Sequence, residues 1–288
     1  MSTNDEPAPF VTTSGTSPLV ISFPHSGTLI PEGLAARMTP VALSVPDTDW
    51  HVPRLYALAL ERCTAGHDPA GHGVAGIEAR LSRYVIDLNR PPDDAALYPG
   101  QVSTGLCPAQ SFSGEALYAG SATDVAPAPD VEEVEARRTR WWAPWHAALD
   151  ALVAETCARH GFCVLLDAHS IRSEVPRLFG GRLPDLNLGT NDGRSCNAAL
   201  AQRAMQVLGG QRAFSAARDG RFKGGYITRS RGLPDAGVHA LQLEIAQSAY
   251  MDETGTAWDA ARAAPLAALL GQLLEALLSW RPPARSGS

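Results

Sequence analysis

Short apolar runs alternate with longer segments of helical character along this chain, and this alternation constrains the fold more than any other feature. Four runs have the length and composition of buried strands: residues 19–23, 84–88, 163–167 and 240–245. Four segments are predicted helices: residues 51–63, 130–160, 195–208 and 258–280. Strands that alternate with helices predict a layered α/β domain with a largely parallel sheet.

The longest predicted helix carries its own start and stop signals. Asp130 with Glu133 has the spacing of a capping box at its beginning. Pro144 is expected to disturb the helix, and Gly161 to end it. A cluster of tryptophans on this segment is interpreted as helix packing: Trp141, Trp142 and Trp145.

The chain is predicted to form one domain over residues 19–281. Residues 1–18 and 282–288 are rich in Pro, Ser, Thr and Gly, and both are expected to be disordered tails. Residues 91–129 are rich in Pro, Gly, Ser and Ala and predict a long irregular surface segment. Segments of that length are often functional.

Composition excludes several classes of protein. The net charge of −6 argues against binding to a phosphate backbone, which usually needs a basic excess. No run of 18 uninterrupted apolar residues occurs, and the acidic N-terminus lacks the pattern of a signal peptide, so no membrane partner is expected. Five cysteines without a CxxC spacing argue against a disulfide framework and predict reduced thiols in the cytoplasm.

Chemically reactive side chains follow the predicted strands. His25 comes just after the first strand, Asn89 and Arg90 follow the second, His169 follows the third, and Glu244 lies at the end of the fourth. In an open α/β sheet, ligands bind outside the carboxyl ends of the strands. The sequence therefore predicts a site at this edge.

Two histidines among these side chains indicate a metal site. A catalytic zinc ion takes three protein ligands from His, Asp or Glu and keeps one position open. His25 and His169 supply two nitrogens, and either Asp47 or Asp49 could supply a carboxylate, although each could instead cap the following helix. Asp167 shares a strand face with His169 and is predicted to orient its imidazole or to be a structural carboxylate.

Other chemistries have weaker support. Ser26 and Ser170 each follow a histidine directly, so the paired side chains point in opposite directions on extended chain, and no GxSxG motif occurs. The glycine-rich stretches at 179–181 and 223–226 match neither GxxxxGK[ST] nor GxGxxG, and they are interpreted as substrate loops.

Seven motifs occur along residues 19–255: PHSG, DTDWH, SRYVIDLNRPPD, DAHS, LPDLNLGTNDGRSC, GRFKGGYITR and ALQLEIAQ. Together they resemble the N-formylglutamate amidohydrolase family, which is similar to the zinc carboxypeptidase and aspartoacylase group. The resemblance implies a phosphorylase/hydrolase-like fold with three α/β/α layers and a mostly parallel or mixed sheet.

The same resemblance implies a zinc site formed by His25, Asp49 and His169, with one ion per chain or another divalent metal in its place. Asp49 is preferred over Asp47 because more distant relatives keep one aspartate just before this helix. Glu244 matches the catalytic glutamate of the family.

The resemblance also implies a substrate with two carboxylates. Asn89 and Arg90 match a pair that grips one carboxylate, and Arg83 matches an arginine that polarises the scissile carbonyl. The second carboxylate has three candidate partners in the motif segments: Arg172, Arg177 and Arg229.

The implied reaction is hydrolysis of N-formyl-L-glutamate to formate and L-glutamate, a step of histidine degradation. Two alternatives stay open. The chain could be a related acyl-amino-acid amidohydrolase of aspartoacylase or desuccinylase type, or a non-catalytic protein that binds an acidic amino acid. The sequence does not define the oligomeric state.

Overall fold

The computed structural model describes residues 8–64, 73–96, 100, 104–120 and 128–283. Within these residues, seven strands form one sheet: β1 (Phe10–Thr13), β2 (Leu19–Phe23), β3 (Ala75–Ala79), β4 (Cys163–Ile171), β5 (Leu186–Gly189), β6 (Ala216–Arg218) and β7 (Val238–Ala246). Their order is β1-β3-β2-β4-β7-β5-β6. The central strands β3, β2, β4 and β7 are parallel, whereas β1 pairs antiparallel with β3 and β5 pairs antiparallel with β7. The sheet is therefore mixed.

Eight α-helices accompany the sheet in the described part of the chain: α1 (Glu32–Ala35), α2 (Pro40–Leu43), α3 (Val52–Thr64), α4 (Val131–Arg137), α5 (Ala143–His160), α6 (Ala198–Gly209), α7 (Tyr226–Arg231) and α8 (Ala260–Ser279). A π-helical turn, Arg138–Trp142, joins α4 to α5. Asp130 caps the start of α4 by accepting from the Glu133 amide, and Gly161 ends α5 in a left-handed conformation, as the sequence predicts.

Strand β4 is buried along its whole length, and its alternate residues face two different layers. Val164 and Leu166 pack with α3, α6 and α8 on one side of the sheet. Cys163 and Leu165 pack with α5 on the other side. This confirms the predicted α/β fold with three layers and a mixed sheet.

Helix α8 is long and apolar enough to cross a membrane by length and composition alone. In the structure 61% of its apolar window is buried inside the protein. Leu270, Leu273 and Leu277 belong to the same core cluster as α3 and α6. Helix α8 is therefore a core helix, in the helical layer that also contains α3 and α6.

Two predictions about the N-terminal half are wrong. Residues 84–88 form a buried irregular segment rather than a strand, and the strand beside β2 is β3, whose alternating burial gives a weaker apolar signal. Part of the expected N-terminal tail is ordered, because Phe10–Thr13 pairs with the edge of β3. Residues 1–7 and 284–288 lie outside the described residues.

Candidate active site

A cleft that is open to solvent lies beyond the carboxyl ends of β2, β4 and β7. This is the position that the strand-end pattern predicts. Seven side chains predicted for the site line it: His25, Asp49, Arg83, Asn89, Arg90, His169 and Glu244. The fold thus brings together residues that are spread over about 220 positions of the sequence.

A candidate metal centre lies in this cleft. One ligand atom each from His25, Asp49 and His169 falls within a group whose members are at most 4.8 Å apart. Asp49 Oδ2 is 3.0 Å from His169 Nδ1 and 3.9 Å from His25 Nδ1. All three side chains are buried, and two imidazole nitrogens with one carboxylate are a donor set that suits a divalent metal.

The loop before α3 determines which aspartate reaches the histidines. The Asp49 amide donates to the His25 carbonyl at 3.0 Å, which ties this loop to the end of β2. The Asp47 carboxylate turns away and accepts from the Tyr84 hydroxyl and the Phe112 amide, each at 2.6 Å. Asp49 is therefore the aspartate of the cluster, and among the described residues neither carboxylate accepts a hydrogen bond from a backbone amide of α3.

A second carboxylate lies behind each histidine. Asp87 Oδ1 is 2.7 Å from His25 Nε2, and Asp167 Oδ2 is 2.9 Å from His169 Nε2. Each contact fixes the ring orientation and leaves Nδ1 on the side of Asp49. The contact of Asp167 was expected from its position two residues before His169, whereas the role of Asp87 was missed. The signal for Asp87 was a carboxylate inside the apolar run 84–88.

Burial and neighbouring charged groups shift the pKa values of one carboxylate and both histidines at this centre. Burial opposes ionisation of Asp87, but His25 and Arg83 outweigh it and hold the pKa of this carboxyl well below its usual range. Burial and then the charge of Arg83 lower the pKa of His25. Burial also works against a charged His169, yet Asp167 and Asp49 raise its pKa well above the usual value.

Glu244 is the partner of His169 in the register between β7 and β4. Its carboxyl group is buried, and burial, with the nearby charge of Asp49 adding to it and His169 opposing it, raises its pKa to about 8. Gln242, two residues earlier on the same strand face, donates to Glu244 Oε2 at 3.3 Å. A carboxylate with this pKa can exchange a proton near neutral pH.

Asn89 lines the cleft and is held by hydrogen bonds to other parts of the protein. Its Nδ2 donates to Asp167 Oδ2 at 3.0 Å, and its Oδ1 accepts from the Ile227 amide at 2.8 Å. Gly225 permits this approach, because a Cβ there would lie 2.4 Å from Asn89 Nδ2. These bonds connect the start of α7 to the Asp167–His169 pair.

Arg83 and Arg90 both line the cleft. Arg83 donates to Asp87 Oδ2 at 2.6 Å, and its guanidinium lies 4.6 Å from the centroid of the Phe112 ring. Arg90 donates to Thr104 Oγ1 at 3.3 Å. Burial disfavours a charged Arg83, but Asp87 and Asp49 outweigh this effect and raise its pKa.

Three arginines proposed for the second carboxylate are not among the residues that line this cleft. Arg172 donates to Ser113, Arg177 to Ser111 and Gln110, and Arg229 to the Gly224 carbonyl. These bonds brace the loops around the cleft.

Arg221 lines the cleft instead, and sequence reasoning missed it. It lies in the motif GRFKGGYITR, in which Arg229 was the predicted substrate-binding residue. Its Nε and one terminal nitrogen donate to the Leu178 carbonyl at 3.2 and 2.9 Å. Its guanidinium is 5.4 Å from the centroid of the Phe222 ring, which also lines the cleft.

The fold and the cleft define a class: a mixed-sheet α/β domain with a buried His–Asp–His group, able to hold a metal ion, at the carboxyl ends of its strands. Residues 17–251 match the family described as N-formylglutamate amidohydrolase. The chain belongs to the N-formylglutamate amidohydrolase family, and its substrate is accordingly a small molecule.

Relatives and solved structures agree with this membership. The N-formylglutamate deformylase of Pseudomonas aeruginosa is 45% identical over 267 residues, which cover 92% of this chain and 94% of that enzyme. The N-formylglutamate deformylase of Pseudomonas putida is 43% identical with the same coverage. The crystal structure of N-formylglutamate amidohydrolase from Ralstonia eutropha JMP134 superposes with a TM-score of 0.74 and 25% identity, covering 94% of this chain and 98% of that chain.

Proposed function

We propose that this protein is a zinc-dependent amidohydrolase that cleaves N-formyl-L-glutamate to formate and L-glutamate. The observation that carries the proposal is the buried group His25, Asp49 and His169 with Glu244 beside it on the same cleft wall. The relatives named N-formylglutamate deformylase support the choice of substrate.

The donor set fits a zinc ion. Asp49 Oδ1 is buried and has no hydrogen-bond partner among the described residues, an arrangement that is costly unless a cation balances it. Nε2 of His25 and of His169 are each occupied by a carboxylate, which leaves the Nδ1 atoms of both histidines toward Asp49. A bound zinc ion supplies Lewis acidity for an amide carbonyl and lowers the pKa of water to about 7.

Glu244 is the proposed general base and acid. In its ionised form it accepts the proton of the attacking water, and it then returns this proton to the departing glutamate nitrogen. Gln242 donates to one carboxylate oxygen of Glu244 and is itself held through its Oε1 by the Gly225 amide at 2.7 Å. Arg83 provides positive charge for the oxygen of the scissile carbonyl as its negative charge develops.

The substrate carries two carboxylates, and planar guanidinium groups bind carboxylates in a bidentate manner. Arg90 is the proposed partner of the α-carboxylate. Arg221 is the proposed partner of the side-chain carboxylate, because it lines the same cleft next to Phe222. Arg172, Arg177 and Arg229 keep a supporting role through the loops that they brace.

The proposed setting is the cytoplasm, at the step of histidine degradation that releases glutamate. All five cysteines are free thiols, which fits a reducing compartment. The product pair, formate and a free amino acid, suits a catabolic role.

Turnover of four substrates tests the proposal: N-formyl-, N-acetyl- and N-succinyl-L-glutamate and N-formyl-L-aspartate. The expected result is that kcat/KM is highest for N-formyl-L-glutamate in zinc-loaded protein. A preference for the acetyl or succinyl substrate would instead identify an acyl-amino-acid amidohydrolase of another specificity. Binding of these ligands without turnover of any of them would identify a non-catalytic binding protein.

A further inference from the structure

The backbone that carries Asp87, Asn89 and Arg90 belongs to no helix or strand. Even so, three successive carbonyls in it each accept a hydrogen bond from a different residue. His146 Nε2 lies 3.0 Å from the Leu88 oxygen, the Tyr226 amide lies 3.2 Å from the Asn89 oxygen, and Trp142 Nε1 lies 3.0 Å from the Arg90 oxygen. Alternate carbonyls thus point to two elements, the π-helical turn with α5 on one side and the start of α7 on the other.

The two side-chain donors come from an unusual piece of helix. Trp142 is the last residue of the π-helical turn, and His146 follows four positions later on α5. Their rings are in contact at a tilt of 39°, with centroids 3.8 Å apart, and both rings pack against Tyr226 with centroid distances of 5.7 and 5.5 Å. Single π-helical turns inside α-helices often occur at functional sites.

We propose that Trp142 and His146 are positioning residues that hold the backbone of residues 88–90 and so place the Arg90 guanidinium in the cleft. The substrate-binding role of Arg90 rests on the proposed function. The hydrogen bonds that fix its backbone do not depend on that function.

Comparison within the same helix separates this role from ordinary packing. Trp145 is fully buried and packs edge-to-face on Phe10, but its Nε1 has no hydrogen-bond partner among the described residues. In contrast, the indole N–H of Trp142 donates a hydrogen bond to the Arg90 carbonyl. His146 Nε2 must carry the proton because it faces the Leu88 carbonyl. His146 Nδ1 is buried and has no hydrogen-bond partner in the described part of the chain.

A pair of matched variants tests the proposal. Trp142→Phe and Trp145→Phe remove the same part of an indole ring, but only the first removes a hydrogen bond. With N-formyl-L-glutamate and zinc-loaded protein, we expect Trp142→Phe to raise KM about fivefold while kcat stays within about twofold, as for loss of one hydrogen bond. Trp145→Phe should leave KM unchanged even where its melting temperature falls.

His146 offers a rescue test. His146→Gln keeps an N–H donor and should retain a KM close to that of the unchanged protein, whereas His146→Leu should raise it. Amide hydrogen exchange, followed by mass spectrometry on the peptide that covers residues 85–95, provides a readout without substrate. Exchange there should be faster in Trp142→Phe and unchanged in Trp145→Phe.

The outcomes separate the two proposals. Equal KM values for the two tryptophan variants, together with unchanged exchange in residues 85–95, would overturn the positioning role. Failure of the unchanged protein to hydrolyse N-formyl-L-glutamate, with faster exchange in Trp142→Phe, would overturn the proposed substrate and leave the positioning of residues 88–90 supported.

Discussion

His169 and Glu244 are register partners on the neighbouring strands β4 and β7, so their side chains leave the sheet on the same face. One residue is a member of the candidate metal centre, and the other is the proposed general base. Their relative position is set by the hydrogen bonds of two central strands rather than by loops. A site supported in this way holds its geometry with little reorganisation.

Glu244→Gln tests the proposed base. The amide keeps the size of the side chain but cannot accept a proton, so we expect kcat to fall by about 10²–10⁴-fold. Zinc content, measured by atomic emission, should stay near that of the unchanged protein. Loss of zinc from this variant would make Glu244 a metal ligand, and a nearly normal kcat would place the base elsewhere.

Stability of the metal-free protein should depend on pH through the same residue. The pKa of Glu244 is about 8 in the folded chain against an ordinary 4.5, so between these values the folded state binds more protons than the unfolded state. Its contribution to stability is therefore fully present below about pH 4.5 and is lost as pH rises toward 8. We therefore expect the melting temperature of Glu244→Gln, relative to that of the protein with Glu244, to increase between pH 5 and pH 8. A difference in melting temperature that does not vary with pH would contradict this.

Two neighbouring aspartates provide a matched test of the metal centre. Asp49→Asn should lose most of its bound zinc and its activity, because Asp49 lies between the two histidines. Asp47→Asn should keep its zinc, since Asp47 bonds to Tyr84 and Phe112 and its loss affects mainly folding stability. Metal analysis with melting curves separates the two effects, and zinc loss in Asp47→Asn with an intact fold would reverse the assignment.

The carboxylates behind the histidines should matter for metal affinity. Asp87→Asn and Asp167→Asn each remove a charge that orients an imidazole, and we expect a fall in zinc affinity of about 10–100-fold. Competition with a fluorescent chelator measures it. Asp185→Asn is a control, because its carboxylate binds Ser215 away from the cleft. Unchanged affinity in both variants would show that the histidine rings are held by packing alone.

Arginine variants should separate the two carboxylate contacts. Arg221→Gln is expected to lower kcat/KM about 10–100-fold for N-formyl-L-glutamate, the loss of a charged hydrogen bond, and to change it little for N-formyl-L-glutamine. Arg90→Lys should lower it for both substrates, because both carry the α-carboxylate. Arg182→Gln is the control, since Arg182 is exposed and bonds to Ser248. If Arg221→Gln lowers kcat/KM equally for both substrates, Arg221 does not bind the side-chain carboxylate.

Local pattern was sufficient for three of the buried strands, β2, β4 and β7, but it missed β5, which is also buried along its whole length. Leu19–Phe23 has the predicted bounds, β4 and β7 extend the predicted runs by a few residues, and the capping residue Asp130 and the stop at Gly161 were readable because both act through their own neighbours. The same pattern missed β3, since only alternate residues of this strand are buried. It also took residues 84–88 for a strand, because burial in an irregular segment produces the same apolar run.

The residues of the site divide in the same way. Sequence by itself determined that His25, His169 and Glu244 would meet, because the carboxyl ends of parallel strands share one edge of a sheet. The residue pattern left Asp47 and Asp49 open, and the family resemblance favoured Asp49. Only the tertiary structure showed Asp49 between the two histidines, placed Asp87 next to His25, turned the Asn89 amide toward Asp167 and put Arg221 in the cleft. Each of these depends on how irregular segments pack against one another, and such contacts between distant residues leave no periodic signal in the chain.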